Sequence, residues 1–323
     1  MDKKSFIVKN IGRLDKILTK EINQSRNQVE RLIKEGLVSV NSKIVTKTGY
    51  KLSIDDSIEY SFKEPTLKEK VSVDFDIDII YEDDDMMVIN KPSGVVVHPA
   101  PSVKDATVVD WLIQKGVSLS TISGEERHGI VHRIDKETTG ALVIAKTNKA
   151  HRVLSSQLQD KSMGRYYLAL IDYPLKESGF INKPIGRNRK NRLKMDIVDG
   201  AKEAKSAFYK LQESDANVEL IAVKLFTGRT HQIRVHLNSL GRHILGDVLY
   251  GFKSKKDTIK RVLLHAYKLY LIHPSTNERM EFVAPLFPDM EDFIYRKFNQ
   301  GEIDEKINPN IIDSYFSNIT NRL

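Results

Sequence analysis

The chain has 323 residues, 40% of them hydrophobic and 29% charged, with a net charge of +8 and no cysteine. Length points to two or three domains, and the apolar content is enough for a packed core. The missing cysteine excludes disulfides, thiolate nucleophiles and cysteine zinc sites, and no run approaches the roughly 18 apolar residues of a membrane span.

The opening residues, MDKKSFIVKNIGRLD, are charged throughout and hold no apolar stretch of a secretory signal. A cytoplasmic protein is therefore expected. Charge is unevenly spread: residues 71–140 carry a net −7 and residues 141–210 a net +9. Basic blocks on either side of an acidic one suggest a phosphate-bearing partner, because Lys and Arg neutralise phosphates and release counterions.

Residues 1–62 read as a small domain, with a helix from Asp15 to Ile22 that carries Ile17, Leu18 and Ile22 inward. Ser25 with Gln28 resembles a capping box, and Gly36 closes the second helix behind a stripe of Val29, Leu32 and Ile33. Leu37–Asn41 and Lys43–Val45 alternate like a hairpin. Arg26, Arg31 and Lys34 lie largely off the buried stripe, as a basic face or as an ordinary solvated one. The segments RLDKIL and SRNQVERLIKEGLVSVNSKIV resemble the RNA-binding domain named for ribosomal protein S-four. In that family, the helical pair and the hairpin present basic residues to structured RNA.

Residues 63–72, beginning KEPTLKEK, read as a linker. A second domain spans residues 73–298. Val73 to Ile79 alternates as a half-buried strand, and Met86–Asn90 forms another. Asp83–Asp85 reads as a solvated turn. Thr107 caps a helix, with Asp110 at its third position and Gly116 beyond its end. Next comes HGIVHRIDKETTGALVIAKT, residues 128–147, read as strand, polar turn and strand. Gly140 gives the turn backbone freedom. A carboxylate such as Asp135, on a loop between two buried strands, is well placed for chemistry, although a solvated hairpin tip has the same pattern.

Beyond it, Ala150, Val153, Leu154 and Leu158 mark an amphipathic helix. Arg165–Leu170 is a strand whose adjacent Tyr166 and Tyr167 go to opposite faces. Lys183–Lys194, with Arg187, Arg189 and Lys190, reads as a mobile basic loop that follows an RNA backbone. In TGRTHQIRVHL a strand turns into a helix with Ile233, Leu237 and Leu240 inward and Arg234 at the edge of the stripe. His231 and His236 lack the spacing of paired zinc ligands, and no phosphate-binding glycine motif is present. Neither a metal nor a nucleotide cofactor is expected. Residues 299–323 read as a polar tail or a marginal helix.

Taken in order, HRIDKETTGALVIAKT, RYYLALI, PIGRNRKNRLKM with AKSAFYKL, LFTGRTHQIRVHLNSLGRHILGDVLYG and LLHAYKLYLIHP resemble the RluA-type pseudouridine synthases. With the N-terminal domain, the resemblance is to the RluD-like branch that acts on large-subunit ribosomal RNA. It implies an α+β fold around a mixed, mostly antiparallel sheet, preceded by the small α/β RNA-binding domain. It also implies an enzyme that needs no cofactor and no metal and converts uridine to pseudouridine; a monomer is expected. By motif, Asp135 is the catalytic aspartate, acting as a nucleophile or as a base that gives a glycal. Tyr167 stacks on the target base, Arg234 pairs with the aspartate, and Arg133 helps hold the base out of its stack. His132 is structural. Arg165 stands where a lysine is usual. The competing readings are a non-catalytic RNA-binding assembly factor, which would need none of these identities, and a metal-dependent nuclease, which lacks ligands.

Overall fold

In the computed structural model the described residues are 3–22, 26–62, 71–100, 103–122, 128–214, 217–253 and 259–320. Two compact units emerge, Met1–Ser72 with Thr121–His128, and Val73–Ser120 with Gly129–Leu323.

Spacing by four residues builds the first unit: Leu14 and Leu18 are fully buried one turn apart, and so are Val29 and Ile33. In chain order the elements are β1 (Lys3–Ile7), β2 (Gly12–Arg13), α1 (Leu14–Glu21), α2 (Arg26–Lys34), β3 (Val38–Val40), β4 (Lys43–Ile44), β5 (Lys51–Leu52) and β6 (Ser57–Ser61). An antiparallel sheet ordered β1-β6-β3-β4 supplies Val38, Val40 and Ile58 to the same core. Asn41 and Ser42 both take positive φ (48° and 65°), as a two-residue hairpin turn requires. Ser25, expected as the cap of α2, lies outside the described residues, as does the segment 63–70 read as a linker.

The second unit opens with a difference from the expected strand at 73–79. The strand β7 runs only from Asp78 to Glu82. Upstream the alternation is real but serves packing: Ile77 is buried, Val73 and Phe75 lean on the same cluster, and Asp76 accepts the Trp111 indole N–H at 2.9 Å. Then come β8 (Met86–Lys91), α3 (Val108–Gln114), β9 (Thr139–Ala145), α4 (Asn148–Asp160), β10 (Gly164–Asp172), β11 (Gly179–Asn182), β12 (Ile185–Arg187), β13 (Met195–Ile197), β14 (Lys205–Glu213), β15 (Val218–Leu225), α5 (Gln232–Asn238), β16 (Leu264–Ile272), β17 (Arg279–Val283), α6 (Pro288–Lys297), α7 (Gln300–Lys306) and α8 (Ser317–Thr320). The main sheet is ordered β11-β14-β15-β10-β16-β9-β8-β7, with β17 also on β16. Every pairing in it is antiparallel except β9 with β16. Its central strands are apolar on both sides because both faces are covered. Residues from α3 and α5 pack on the Tyr167 face, and residues from α6, α7 and the C-terminal segment pack on the Tyr166 face.

Four further expectations are corrected. The first arm of the 128–147 hairpin is no strand: Ile130 makes a single bridge to Ile144, and the left-handed Gly129 before it (φ +68°) breaks the extended run. The basic segment 183–194 belongs to an ordered hairpin of β12 and β13. Asn188 Oδ1 accepts the N–H groups of Lys190 and Asn191, and the inner side chains Met195 and Ile197 rest on a cluster with Val235 and Tyr250. Leu240 is exposed, since α5 ends at Asn238. The expected polar tail is folded over residues 299–320: Ile303, Ile307, Ile312 and Phe316 are buried, and Phe316 lies 5.5 Å from Tyr166, ring to ring. A few well-spaced apolar residues suffice when a large apolar sheet face is waiting for them.

Candidate active site

Asp135 sits on the loop that feeds β9, and local chemistry fixes that loop at several points. Thr138 N–H closes a turn onto Asp135 C=O at 3.2 Å, and Ile134 is buried beneath it. His132 is buried, and its Nε2 accepts the Val143 N–H at 3.2 Å. Burial pushes its pKa down to about 3, so the ring is a neutral strut. Lys91 enters from below at the end of β8. Its fully buried ammonium donates to the carbonyls of Pro92, Val95 and Lys136 at 2.6, 2.8 and 3.1 Å. Burial draws it down to about 7, against the opposing pull of Asp135 and Glu137.

Gly140 makes the parallel approach of β9 to β16 possible. Its φ is +111°, and a Cβ there would stand 2.3 Å from the Ala266 carbonyl oxygen.

Arg234 reaches Asp135 from α5. Its Nη1 lies 3.3 Å from Asp135 Oδ2, while Nε and Nη2 grip both oxygens of Asp247 at 2.7 and 2.8 Å. The arginine is therefore clamped by one buried carboxylate and presents its remaining edge to the other. Burial lowers the guanidinium pKa, but the hydrogen bonds and charge of Asp247 and the charge of Asp135 more than reverse that. The Tyr250 ring stands 5.0 Å from the guanidinium carbon, and Tyr250 Oη is 2.9 Å from His231 Nδ1. His231 holds a left-handed backbone (φ +56°) at the start of α5 and comes within 4.0 Å of Asp135. Burial depresses its pKa, which leaves it a neutral neighbour at pH 7.

Tyr167 projects from β10 onto the same face, buried among Ile221, Val223 and Ile233. Burial raises its pKa, Arg165 opposes that and Asp135 adds to it, which places all three groups in one field. The structure thus brings together Asp135, Tyr167 and Arg234. Arg133 is exposed nearby, with no hydrogen bond or ion pair among the described residues, and its charge is felt at His231. Arg187, Arg189 and Lys190 are exposed on the β12–β13 hairpin, where Arg187 Nη1 donates to the Arg192 carbonyl at 2.6 Å. In the first unit the three basic residues of α2 are already paired. Arg26 reaches buried Asp15 at 3.1 Å, Arg31 holds Glu35 at 2.9 Å, and Lys34 is 3.8 Å from Glu30.

Sequence reasoning missed Lys91, Asp247 and Tyr250. The signal for Lys91 was a cation that prolongs an apolar strand, and for Asp247 a lone acid beside a glycine turn. Among the described residues, no group of three or more His, Asp or Glu side chains is arranged to hold a metal ion. The acids at 83–85 form a knot instead, with Asp83 Oδ2 contacted by Tyr81 Oη and His273 Nε2 at 2.7 Å each. No helix among the described residues is long and apolar enough to cross a membrane.

Known proteins are similar to this chain in both units. Residues 85–239 match the family described as RNA pseudouridylate synthase, and residues 12–58 match the S4 domain. An uncharacterized RNA pseudouridine synthase of Helicobacter pylori (strain J99) is 46% identical over 302 residues, which cover 91% of this chain and 92% of that one. The ribosomal large subunit pseudouridine synthase D of Zymomonas mobilis is 39% identical, over 86% of this chain and 92% of its own. The solved structure of human RNA pseudouridylate synthase domain containing 1 superposes with a TM-score of 0.54 at 27% identity, over 67% of this chain and 86% of that one.

Proposed function

The chain belongs to the RNA pseudouridine synthase family and carries an S4 domain, and from that premise we propose that Asp135 is its catalytic carboxylate and large-subunit ribosomal RNA its substrate. The reaction isomerises uridine: the base leaves C1′ through N1 and returns through C5. The observation that carries the assignment is the arginine clamp. A carboxylate held at 3.3 Å by an arginine that a second, buried aspartate fixes is oriented for work at a sugar carbon, as a nucleophile or as a base at C2′. Tyr167 supplies a flat, buried face for the uracil ring. Arg133, exposed beside the carboxylate, meets the RNA and helps hold the target base out of its stack, a step that costs a few kcal/mol. Arg187, Arg189 and Lys190 follow the phosphate backbone, as do Arg31 and Lys34 once their surface ion pairs, each worth about 0–1 kcal/mol, give way to phosphate, and Arg26 through the guanidinium edge that stays exposed beside buried Asp15. The identity to the large-subunit enzyme of Z. mobilis supports the choice of RNA.

The test is a pseudouridine map of total RNA from cells that lack this gene, complemented with wild type or with Asp135→Asn. Specific large-subunit ribosomal sites disappear and only wild type restores them. Restoration by Asp135→Asn overturns the catalytic assignment, and loss confined to other RNAs overturns the substrate.

A further inference from the structure

Arg165 is a buried cation with nothing to balance it. It lies on β10 two residues before Tyr167, and in the regular register with β15 the two residues oppose Leu225 and Val223, so both side chains leave the same face of the sheet. Arg165 is 8% exposed, its Nε is buried without a partner, and the guanidinium makes no hydrogen bond or ion pair among the described residues. Other buried cations are satisfied: Lys91 by three carbonyls, Arg234 by two carboxylates, Arg261 by Asp289. The Thr227–Arg229 turn closes over Arg165 closely enough that a Cβ on Gly228 would lie 2.8 Å from Nη1. That turn leads into α5, which carries Arg234. Burial lowers the Arg165 pKa, and only the Tyr167 hydroxyl opposes it. A folded chain does not retain an uncompensated guanidinium without cause.

We propose that Arg165 takes its counter-charge from the substrate, as the group that binds the uracil anion at the moment the glycosidic bond breaks. This rests on the Asp135 cleft being the reacting centre. When the C1′–N1 bond cleaves, its electron pair stays on the base and spreads over N1, O2 and O4. The sugar carbon either forms an ester with the Asp135 carboxylate or gives its C2′ proton to it. The base then turns, and C5 bonds to C1′ as the ester bond breaks or as C2′ regains its proton. The C5 proton is lost and N1 gains one, so the step balances with no co-reactant. The intermediate base carries one negative charge and two carbonyl oxygens that it must keep while it turns. A guanidinium with free N–H groups in two directions, beside the tyrosine that supports the ring, fits a charge that exists only in mid-reaction.

The experiment uses the full-length enzyme and an RNA fragment containing its mapped target uridine. Arg165→Met and Arg165→Lys are compared in single turnover at saturating enzyme, with uridine or 5-fluorouridine at the target and digestion products read by mass spectrometry. Fluorine stabilises the uracil anion and lessens the need for help. Arg165→Met should slow cleavage of the uridine substrate by about 10²–10³-fold. It should leave RNA affinity within a few-fold and lose at least tenfold less with 5-fluorouridine. Its melting temperature should hold or rise, because an unpaired buried charge has been removed. Arg165→Lys should restore most of the rate. An equal defect on both substrates, a loss of affinity without a loss of rate, or a lowered melting temperature that accounts for the slowing would each overturn the proposal. Asp135→Asn is run alongside: if it still turns over, the reading of the cleft fails; if it is dead while Arg165→Met is unimpaired, only the role of Arg165 fails.

Discussion

Asp247→Asn isolates the clamp behind the catalytic carboxylate. Arg234 now donates to both Asp247 oxygens, at 2.7 and 2.8 Å, and both side chains are almost fully buried. Asparagine keeps the shape but offers one acceptor, and it turns an N–H₂ toward the other guanidinium N–H. One charge-assisted bond worth about 1.5–3 kcal/mol is lost, and breaking a buried pair costs about 3–5 kcal/mol in all. The freed guanidinium swings toward Asp135, its remaining partner at 3.3 Å. A misplacement of about 1 Å at a reacting group lowers the rate by roughly 10²-fold. Asp247 is 1% exposed and cannot touch RNA. Denaturant unfolding should therefore show a loss of about 4 kcal/mol, and single-turnover kinetics well below the melting point should show a rate about 10²-fold lower with RNA affinity unchanged. A variant that is destabilised as expected but reacts within about threefold of wild type would refute the view that Asp247 positions Asp135 through Arg234.

Gly140→Ala should cost at least about 3 kcal/mol from backbone strain and overlap with Ala266, and activity should fall with it; denaturant melts that match wild type would contradict this. Phe316→Ala should lose about 3–5 kcal/mol by emptying the site behind Tyr166, while the rate below the melting point stays near wild type. His265 is neutral in the fold, its Nε2 donating to the Ala284 carbonyl and its Nδ1 accepting from Thr139 Oγ1, and burial lowers its pKa to about 4. The unfolded chain binds that proton first, so this stability is full above the unfolded value near 6.5 and falls as pH drops toward 4. At pH 5 the loss is about 2 kcal/mol, and His265→Gln should flatten the acid limb by that amount in denaturation curves at pH 7 and pH 5.

Local signals carried far in this chain. The capping box of Thr107 and Asp110 is present with both of its bonds, α4 and β10 lie where their periodicities place them, and Tyr166 and Tyr167 go to opposite cores. What stayed hidden depends on partners distant in sequence. Val73–Ile77 alternates as a strand would, but no neighbour among the described residues pairs with it. Gly129–Val131 has strand composition, but the left-handed turn at Gly129 limits it to one bridge on β9. The order of the basic hairpin comes from Asn188 and from the packing of Met195 near Tyr250, neither of which leaves a periodic trace. Lys91, Asp247 and Arg165 are charged residues in buried places. A linear reading assigns such residues to the surface, and only the assembled sheet shows what they face.

The strand order also governs how the cleft comes into being. β10 is flanked by β15 and β16, and the single parallel pairing joins β9 to β16 across more than 100 residues of chain. Asp135 and Arg234 meet across a separation of 99 residues. Such distant contacts must close long loops before any of them repays the entropy, so sheets of this kind fold slowly. Until β16 is seated between β10 and β9, the strand after Asp135 lacks one neighbour and the strand under Tyr167 lacks another. In refolding, competence should therefore return with the slowest phase, after most helical signal has recovered. The transient species before that step exposes the two apolar edges, β9 and β10, that β16 will cover, and these are the edges through which the chain is most open to aggregation.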